Sequence, residues 1–391
     1  MGIGTNEYIY FNPRPGRTIA VSKYLCGLQM KPKRIVCTVT NDLNYDQRMI
    51  RICTSLAGAG YDVTLVGFRK KTSKPLVKRP FRQVRLPIIV EQGKLMYFHY
   101  WLNLFFFLLF RKADILCAID LDTILPVYYA SKLRGRKRVY DAHEIFTDLK
   151  EVISRPAVHK MWTWIGNHTV PHFPVGYTIG ECYADEFRKR YGVNYGVVRN
   201  ATVLKPVMIP EKKEHFILYQ GWVNVGRCFE QLIPAMQFID AKLIVCGEGN
   251  FYAQAKELAH QYKVEDKVIF KGYVPPAQLS DYTIDAYIGI TLFEDTSLSN
   301  RLSLANRFFD YMHYGVPQLC IKYPEYECIN GQFEVAQLIA DPTPETIAAA
   351  LNKMLSDDEY YARLQQNCLL ARETYCWQEE EKKLVEIYKQ L

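Results

Sequence analysis

Asn306 and Asp310 lie four residues apart within residues 299–319, SNRLSLANRFFDYMHYGVPQL. At helical spacing they share a face, out of step with the apolar stripe of Leu304, Phe308 and Met312. One acid on such a face can accept two sugar hydroxyls, and the unpaired amides of a helix start can face phosphate. Ser299, Asn300 and Ser303 are the N-cap candidates, Gly315 is the stop, and Pro317 forbids continuation before the apolar run Gln318–Ile321. The segment reads as a ribose and phosphate holder, with an ordinary amphipathic surface helix as the competing reading. A second anion candidate is Tyr219–Phe229, YQGWVNVGRCF, where Gly221 and Gly226 punctuate a loop around Asn224 and Arg227 stands near the next helix. A diphosphate there would take both the guanidinium charge and the free amides. Three further groupings carry chemistry. His143 sits between Asp141 and Glu144 in sequence, Asp120 and Asp122 have the spacing of a cation pair, and Gly247-Glu248-Gly249 closes an apolar run. The last lacks the third glycine of a dinucleotide fingerprint, because Asn250, Phe251 and Tyr252 follow, so a Rossmann dehydrogenase is a weak reading.

These residues need a scaffold, and its elements are legible. Ile35–Val39 reads as a strand, Met49, Ile50, Cys53 and Leu56 as a helix stripe, and Asp62–Gly67, Asp114–Ile119 and Arg138–Tyr140 as further strands. A polar, proline-containing stretch near residue 205 reads as an interdomain linker. The alternation then restarts with Phe216–Tyr219, a helix stripe at Phe229, Leu232, Ile233 and Met236, and strands at Lys242–Cys246, Val268–Phe270 and Ala286–Ile290. Strands alternating with helices twice over predict two doubly wound parallel sheets. Ligands of such sheets bind beyond the carboxyl ends of the strands, which makes a cleft between them the natural active site.

Composition agrees with a globular chain: 391 residues suffice for two domains, with 49% hydrophobic and 23% charged residues. The net charge of +8 is unevenly spread. Residues 69–85 carry eight Lys or Arg and no acid, and Lys132, Arg134, Arg136, Lys137 and Arg138 form a second cluster. Such patches draw anionic partners, a membrane surface or phosphorylated substrate among them, unless they are simply solvated. The eleven cysteines contain no C-x-x-C pair, and Cys37, Cys117, Cys246 and Cys320 lie in apolar runs, so buried thiols in a reducing compartment are expected. Residues 1–30 have no cleavable signal and read as an extension outside the fold. Met96–Phe110 is too short to span a bilayer, leaving a buried helix or one lying in the membrane interface.

The 299–319 segment resembles the S-x-P-N-K-x-F-E-Y-M-x-x-G-x-P signature of retaining family-4 glycosyltransferases with the GT-B fold. The likeness extends over residues 34–391, densest in the second half, and ends in Trp377, Glu380, Glu381, Leu384 and Tyr388, as in the family's W-x-x-E…L…Y ending. It implies an N-terminal acceptor domain over 31–205, completed by a crossover helix at 373–391, and a donor domain over 206–372. It also implies transfer of a sugar from a UDP- or GDP-type donor to a glycan or lipid-linked acceptor, in the cytoplasm or at the membrane's inner face, without a metal or other cofactor. A silent scaffold or a nucleotide-sugar epimerase of the same fold are the alternatives.

Residue by residue, the resemblance gives Asp310 the ribose, with Ser299, Asn300, Ser303 and Asn306 around the donor. Gly221, Asn224, Gly226, Gly247, Glu248 and Gly249 line the nucleotide, and Lys271 with Gly272 stands near the base. Arg227 faces the phosphates, while Trp222 replaces the family's first basic residue and leaves that site one charge short. His143, in a Y-D-x-H-E motif, orients the sugar. Asp120, Arg199 and Asn200 border the cleft. Asn41 and Asp42 stand where a glycine pair is often found, so contacts there fall to side chains. Leu302 occupies the place of the first acid of an E-x7-E pair and Ala305 that of the proline, which shifts sugar recognition to amides and to Ser297, Ser299 or Asn300.

Overall fold

The computed structural model describes residues 31–391 except 92, 208 and 210–214, with the side chain of Lys94 also left out. The expected extension over residues 1–30 and much of the linker after 205 lie outside the described residues. Residues 33–391 form one compact unit.

Two parallel sheets organise it. The first has seven strands: β1 (Arg34–Thr38), β2 (Asp62–Arg69), β3 (Arg82–Pro87), β4 (Ile115–Ile119), β5 (Lys137–Ala142), β6 (Val175–Thr178) and β7 (Gly196–Val197), in the order β3-β2-β1-β4-β5-β6-β7. The second has β8 (Phe216–Gln220), β9 (Lys242–Cys246), β10 (Val268–Gly272), β11 (Ile288–Thr291), β12 (Gln318–Ile321) and β13 (Ala336–Ile339), in the order β10-β9-β8-β11-β12-β13. Both reverse direction of growth beside their first strand, which opens a crevice at the carboxyl edge. The central strands β1, β4 and β8 are almost wholly apolar and buried, as strands covered on both faces must be.

The helices that place the site are α1 (Gln47–Gly58), α2 (Gly93–Phe110), α3 (Asp120–Arg134), α4 (Pro156–Thr169), α5 (Glu181–Tyr191), α6 (Phe229–Ala235), α7 (Leu298–Arg301), α8 (Asn306–His313), α9 (Pro324–Gln332) and α10 (Trp377–Lys389). α10 returns to the first lobe: Trp377, Leu384 and Tyr388 join the core of β1, β4 and α1, and Trp377 Nε1 donates to Ser55 Oγ at 3.0 Å. Glu380, fully buried, accepts from the Arg199 amide at 2.9 Å and lies 3.6 Å from its guanidinium.

Some expectations needed correction. β3, β6, β7 and β13 were not foreseen: β3 alternates polar residues at a sheet edge, and β7 has only two residues. Residues 299–313 make two helices, not one. α7 is capped by Ser297, whose hydroxyl accepts from the Asn300 amide at 3.2 Å, and α8 starts after Ala305 with no side-chain cap. The Met96–Phe110 stretch begins earlier, at Gly93, and falls between its two readings. Tyr100, Leu104 and Leu108 are buried, while Phe98, Leu102, Phe106 and Phe110 are exposed. Most of the ten described cysteines are buried.

Candidate active site

The chemistry-bearing residues of both lobes sit just past the carboxyl ends of the strands. His143 and Glu144 follow β5, Asp120 follows β4, Gly221 follows β8 and Gly247 follows β9. The lobes meet along this edge. Tyr183 of α5 donates to the Ser299 carbonyl at 2.8 Å, the Cys182 amide donates to Glu325 at 2.6 Å, and Leu298 and Leu302 pack against the first lobe's core.

On the first lobe His143 is clamped between two carboxylates. Its Nε2 lies 3.1 Å from Asp141 and its Nδ1 3.4 Å from Asp120, whose other oxygen accepts the His143 amide at 2.8 Å. Burial disfavours the cation, but Asp141 and Asp120 outweigh it and push the imidazole up to about 9. Asp141 is fully buried and also takes the Arg48 guanidinium at 2.9 Å, while Arg48 donates to the Val198 carbonyl at 3.0 Å. Asp120 has φ of +53°, a left-handed conformation costly for a residue with a Cβ, held by these contacts. Burial and then Asp120 push Asp122 up to about 8 and Glu144 up to about 7. The side thus offers one imidazolium among acids that hold or release protons near neutrality. Among the described residues no group of three or more His, Cys, Asp or Glu is placed to hold a metal ion.

On the second lobe the β8–α6 loop requires its glycines. Gly221 and Gly226 have φ of +125° and +86°, and Gly247 passes so close that a Cβ would meet the Gly221 carbonyl. Asn224 and Asn250 lock the loop: Asn224 Oδ1 accepts the Asn250 amide and Asn250 Oδ1 the Val225 amide, each at 3.0 Å. Arg227 precedes α6, its guanidinium 4.4 Å from the Phe293 ring centre. Sequence reasoning missed its neighbour. Arg307 of α8 is buried, stacks on Tyr219 and Phe293 at 4.7 Å each, and comes close beneath Gly221. Its bonds to the Tyr219 hydroxyl and Leu292 carbonyl are long, 3.4 Å each, and its Nε has no partner. Burial, then the charge of Arg307, lowers the pKa of Arg227, and the charge of Glu144 across the cleft opposes this. Two guanidinium groups share one aromatic ring, and among the described residues neither is paired with a carboxylate. The signal was available: Arg307 occupies the lysine position of the N-K-x-F-E-Y signature.

The remaining candidates separate. Asp310 faces the interlobe junction, accepting from Thr202 at 2.5 Å and Gln220 at 3.2 Å. Asn306 takes the Asn200 amide group at 2.6 Å. Arg199 engages Glu181 and Glu380, so its charge serves the packing of α10. Ser299 is buried; Asn300 bonds Thr296 at 3.0 Å near Gly226. Ser303 lies between the two helices of its segment. Glu248 accepts the Tyr273 amide at 3.3 Å and lies against Gly272. Asn41 closes its own turn with Leu43 and Asp46, and Asp42 accepts the Asn44 amide at 3.2 Å.

Residues 209–369 match the family Glycosyl transferases group 1. No curated protein matches the sequence. Sucrose-phosphate synthase from Thermosynechococcus elongatus superposes with a TM-score of 0.75 at 14% identity, covering 92% of this chain and 98% of that one. HepE of Anabaena, solved with UDP and glucose, gives 0.72 at 13% identity, covering 91% and 99%. WaaG, a glycosyltransferase involved in lipopolysaccharide biosynthesis, gives 0.69 at 14% identity, covering 90% and 99%. At such identities the likeness is one of fold: the chain has the two-lobed GT-B architecture of these glycosyltransferases, and its second lobe carries the group 1 match.

Proposed function

We propose that the protein is a retaining, family-4-type glycosyltransferase, moving a hexosyl or related group from a UDP- or GDP-linked donor to a hydroxyl of a lipid-linked glycan. This role suits cytoplasmic synthesis of cell-surface polysaccharide. The observation that carries the reading is the pair of half-buried Arg227 and buried Arg307 around Phe293, matched by no carboxylate among the described residues. Adjacent cations of which one is buried repel and lose hydration, so an anion that completes the arrangement is favoured there. A diphosphate does so, and Arg307 supplies the charge that Trp222 does not. In the reaction the anomeric carbon–phosphate oxygen bond breaks while the acceptor oxygen bonds the same carbon from the same face. The acceptor's proton passes to the departing phosphate. The guanidinium groups and loop amides stabilise the charge that develops on the leaving group, which is the principal demand of this chemistry. The His143 cation, set by Asp141 and Asp120, orients the sugar, and Asp310 holds the ribose.

Calorimetry with UDP and GDP tests this. Arg227→Gln and Arg307→Gln should each weaken binding about tenfold or more, and Arg307→Lys less, given the strength of charge-assisted bonds. Wild-type affinity in both glutamine variants would remove the basis of the proposal. Because neutralisation is assigned to arginine, EDTA should leave the transfer rate unchanged. One observation favours a silent scaffold: Leu302, at the place of an expected acid, packs into the first lobe's core. Slow donor hydrolysis without acceptor would exclude that reading.

A further inference from the structure

The helical layer α2, α3 and α4 carries a surface that sugar transfer does not use. Between α2 and α3 runs a groove of about 600 Å³ lined by Phe98, Trp101, Leu102, Phe105, Tyr129 and Leu133, with no carboxylate and with Lys132 at its wall. Its rim is open to solvent: Phe98 is 65% exposed, Leu102 45% and Leu133 69%. The patch continues onto α4, where exposed Trp164 stacks on His168, which in turn meets the Tyr129 hydroxyl at 3.2 Å. Single exposed apolar residues need no explanation, but a contiguous patch across three helices does.

Charge says what covers it. α2 ends in Phe110, 78% exposed, followed at once by Arg111 and Lys112. Arg134 ties the two helix ends together by donating to the Leu108 and Arg111 carbonyls, and the basic run continues through Arg136 and Lys137. Asp114 nearby is already engaged by Arg34 at 2.9 Å and Arg136 at 3.8 Å. Aromatic and aliphatic side chains standing beside a cationic collar match the two layers of a lipid interface, acyl boundary and headgroup phosphate. Among the described residues no helix is long and apolar enough to cross a membrane, so the contact is with one leaflet.

We propose that this face docks on an anionic phospholipid bilayer, with Phe98, Leu102 and Leu133 entering the acyl boundary and Lys132, Arg111 and Lys112 meeting headgroup phosphates. One contact links the groove wall to the turn that borders the cleft. Trp101 donates to the Asp122 carbonyl at 2.5 Å, at the same turn where Asp120 reaches His143. A bilayer on this face therefore brings a membrane-held acceptor to the rim of the reaction site. This deepens the lipid-linked reading above, but docking is measured without sugar transfer, so failure of one is distinguishable from failure of the other.

The test is co-sedimentation of the full chain with vesicles of equal parts phosphatidylglycerol and phosphatidylcholine, against phosphatidylcholine alone. Binding is expected to the mixed vesicles and to fall with salt. Phe98→Ser with Leu133→Ser should weaken it about tenfold or more, because two large side chains no longer leave water. Arg111→Gln with Lys132→Gln should weaken it and flatten its salt dependence. All these residues are at the surface, and an unchanged circular dichroism spectrum and thermal transition will certify the fold of each variant. Absence of wild-type binding overturns the proposal, as does wild-type binding by the Ser pair. A dimer in analytical ultracentrifugation that the Ser pair abolishes, without vesicle binding, would assign the face to a second copy instead.

Discussion

His143 shows how a single residue's charge is set by its neighbours. Asp141 and Asp120 raise its pKa from the ordinary 6.5 to about 9, so the folded state binds its proton more tightly than the unfolded chain does. The corresponding stability is fully present below pH 6.5 and is lost as pH rises through about 9, a change on the order of 1–3 kcal/mol. Urea denaturation of wild type and His143→Gln should differ most above pH 8, where Asp122 and Glu144 have largely ionised and the remaining alkaline decline belongs to His143. Transfer should lose rate over the same window if the cation orients the sugar. At this scale the sequence was readable where motif and spacing coincide: Arg227, His143 and Asp120 fall on the edge of the cleft. Arg307 escaped notice because an arginine between Asn306 and Phe308 reads as the polar side of a helix, and only the tertiary fold turns it under Gly221. Asn41 shows the converse. Its side chain closes a local turn, a habit of Asn that spacing cannot distinguish from ligand contact.

Helix α9 sends Glu325 into the start of α5. The carboxylate accepts the Cys182 amide at 2.6 Å, so an acid of the second lobe caps a helix of the first. Gly180 leaves room beside it, since a Cβ there would push the Glu325 carboxylate aside. Replacing Glu325 with Ala should cost about 1–2 kcal/mol of stability, the range for a lost cap. Gly180→Ala should cost a similar amount by expelling the carboxylate. Equilibrium unfolding measures both, and small-angle scattering should detect the lobes parting. Elements with full apolar runs, β1, β4, β8 and β12, were evident in the sequence. β3 and β7 were not, because an edge strand is half solvated and a two-residue strand has no period to detect. Nor was the break between α7 and α8: apolar spacing continued through residues 302–305 although the chain there turns and packs Leu302 on the opposite lobe.

For the molecule as a whole, the lobes are joined by the segment through Asn200 and Thr202 and by the return of α10. Both junctions are polar networks: Arg51 engages Asn200 and the Ala201 carbonyl, Thr202 engages Asp310, and Arg199 engages Glu380. A nucleoside diphosphate held by the second lobe should therefore stabilise the entire compact unit in one thermal transition. At one hundred times its dissociation constant the gain is about 2.7 kcal/mol. Two separated transitions, of which the ligand moves only one, would contradict that coupling. The two-sheet plan was legible because strand and helix periods alternate cleanly, but nothing in local pattern told how Trp377 would meet Ser55.

That contact joins positions 322 residues apart. The strands of the first lobe leave the ribosome long before the helix that finishes their core has been made. The second lobe's own buried cluster likewise runs to Tyr375, so its core too closes only as the last helices are made. Both cores therefore close only near the end of synthesis, and until then the early strands are exposed to chaperones and proteases.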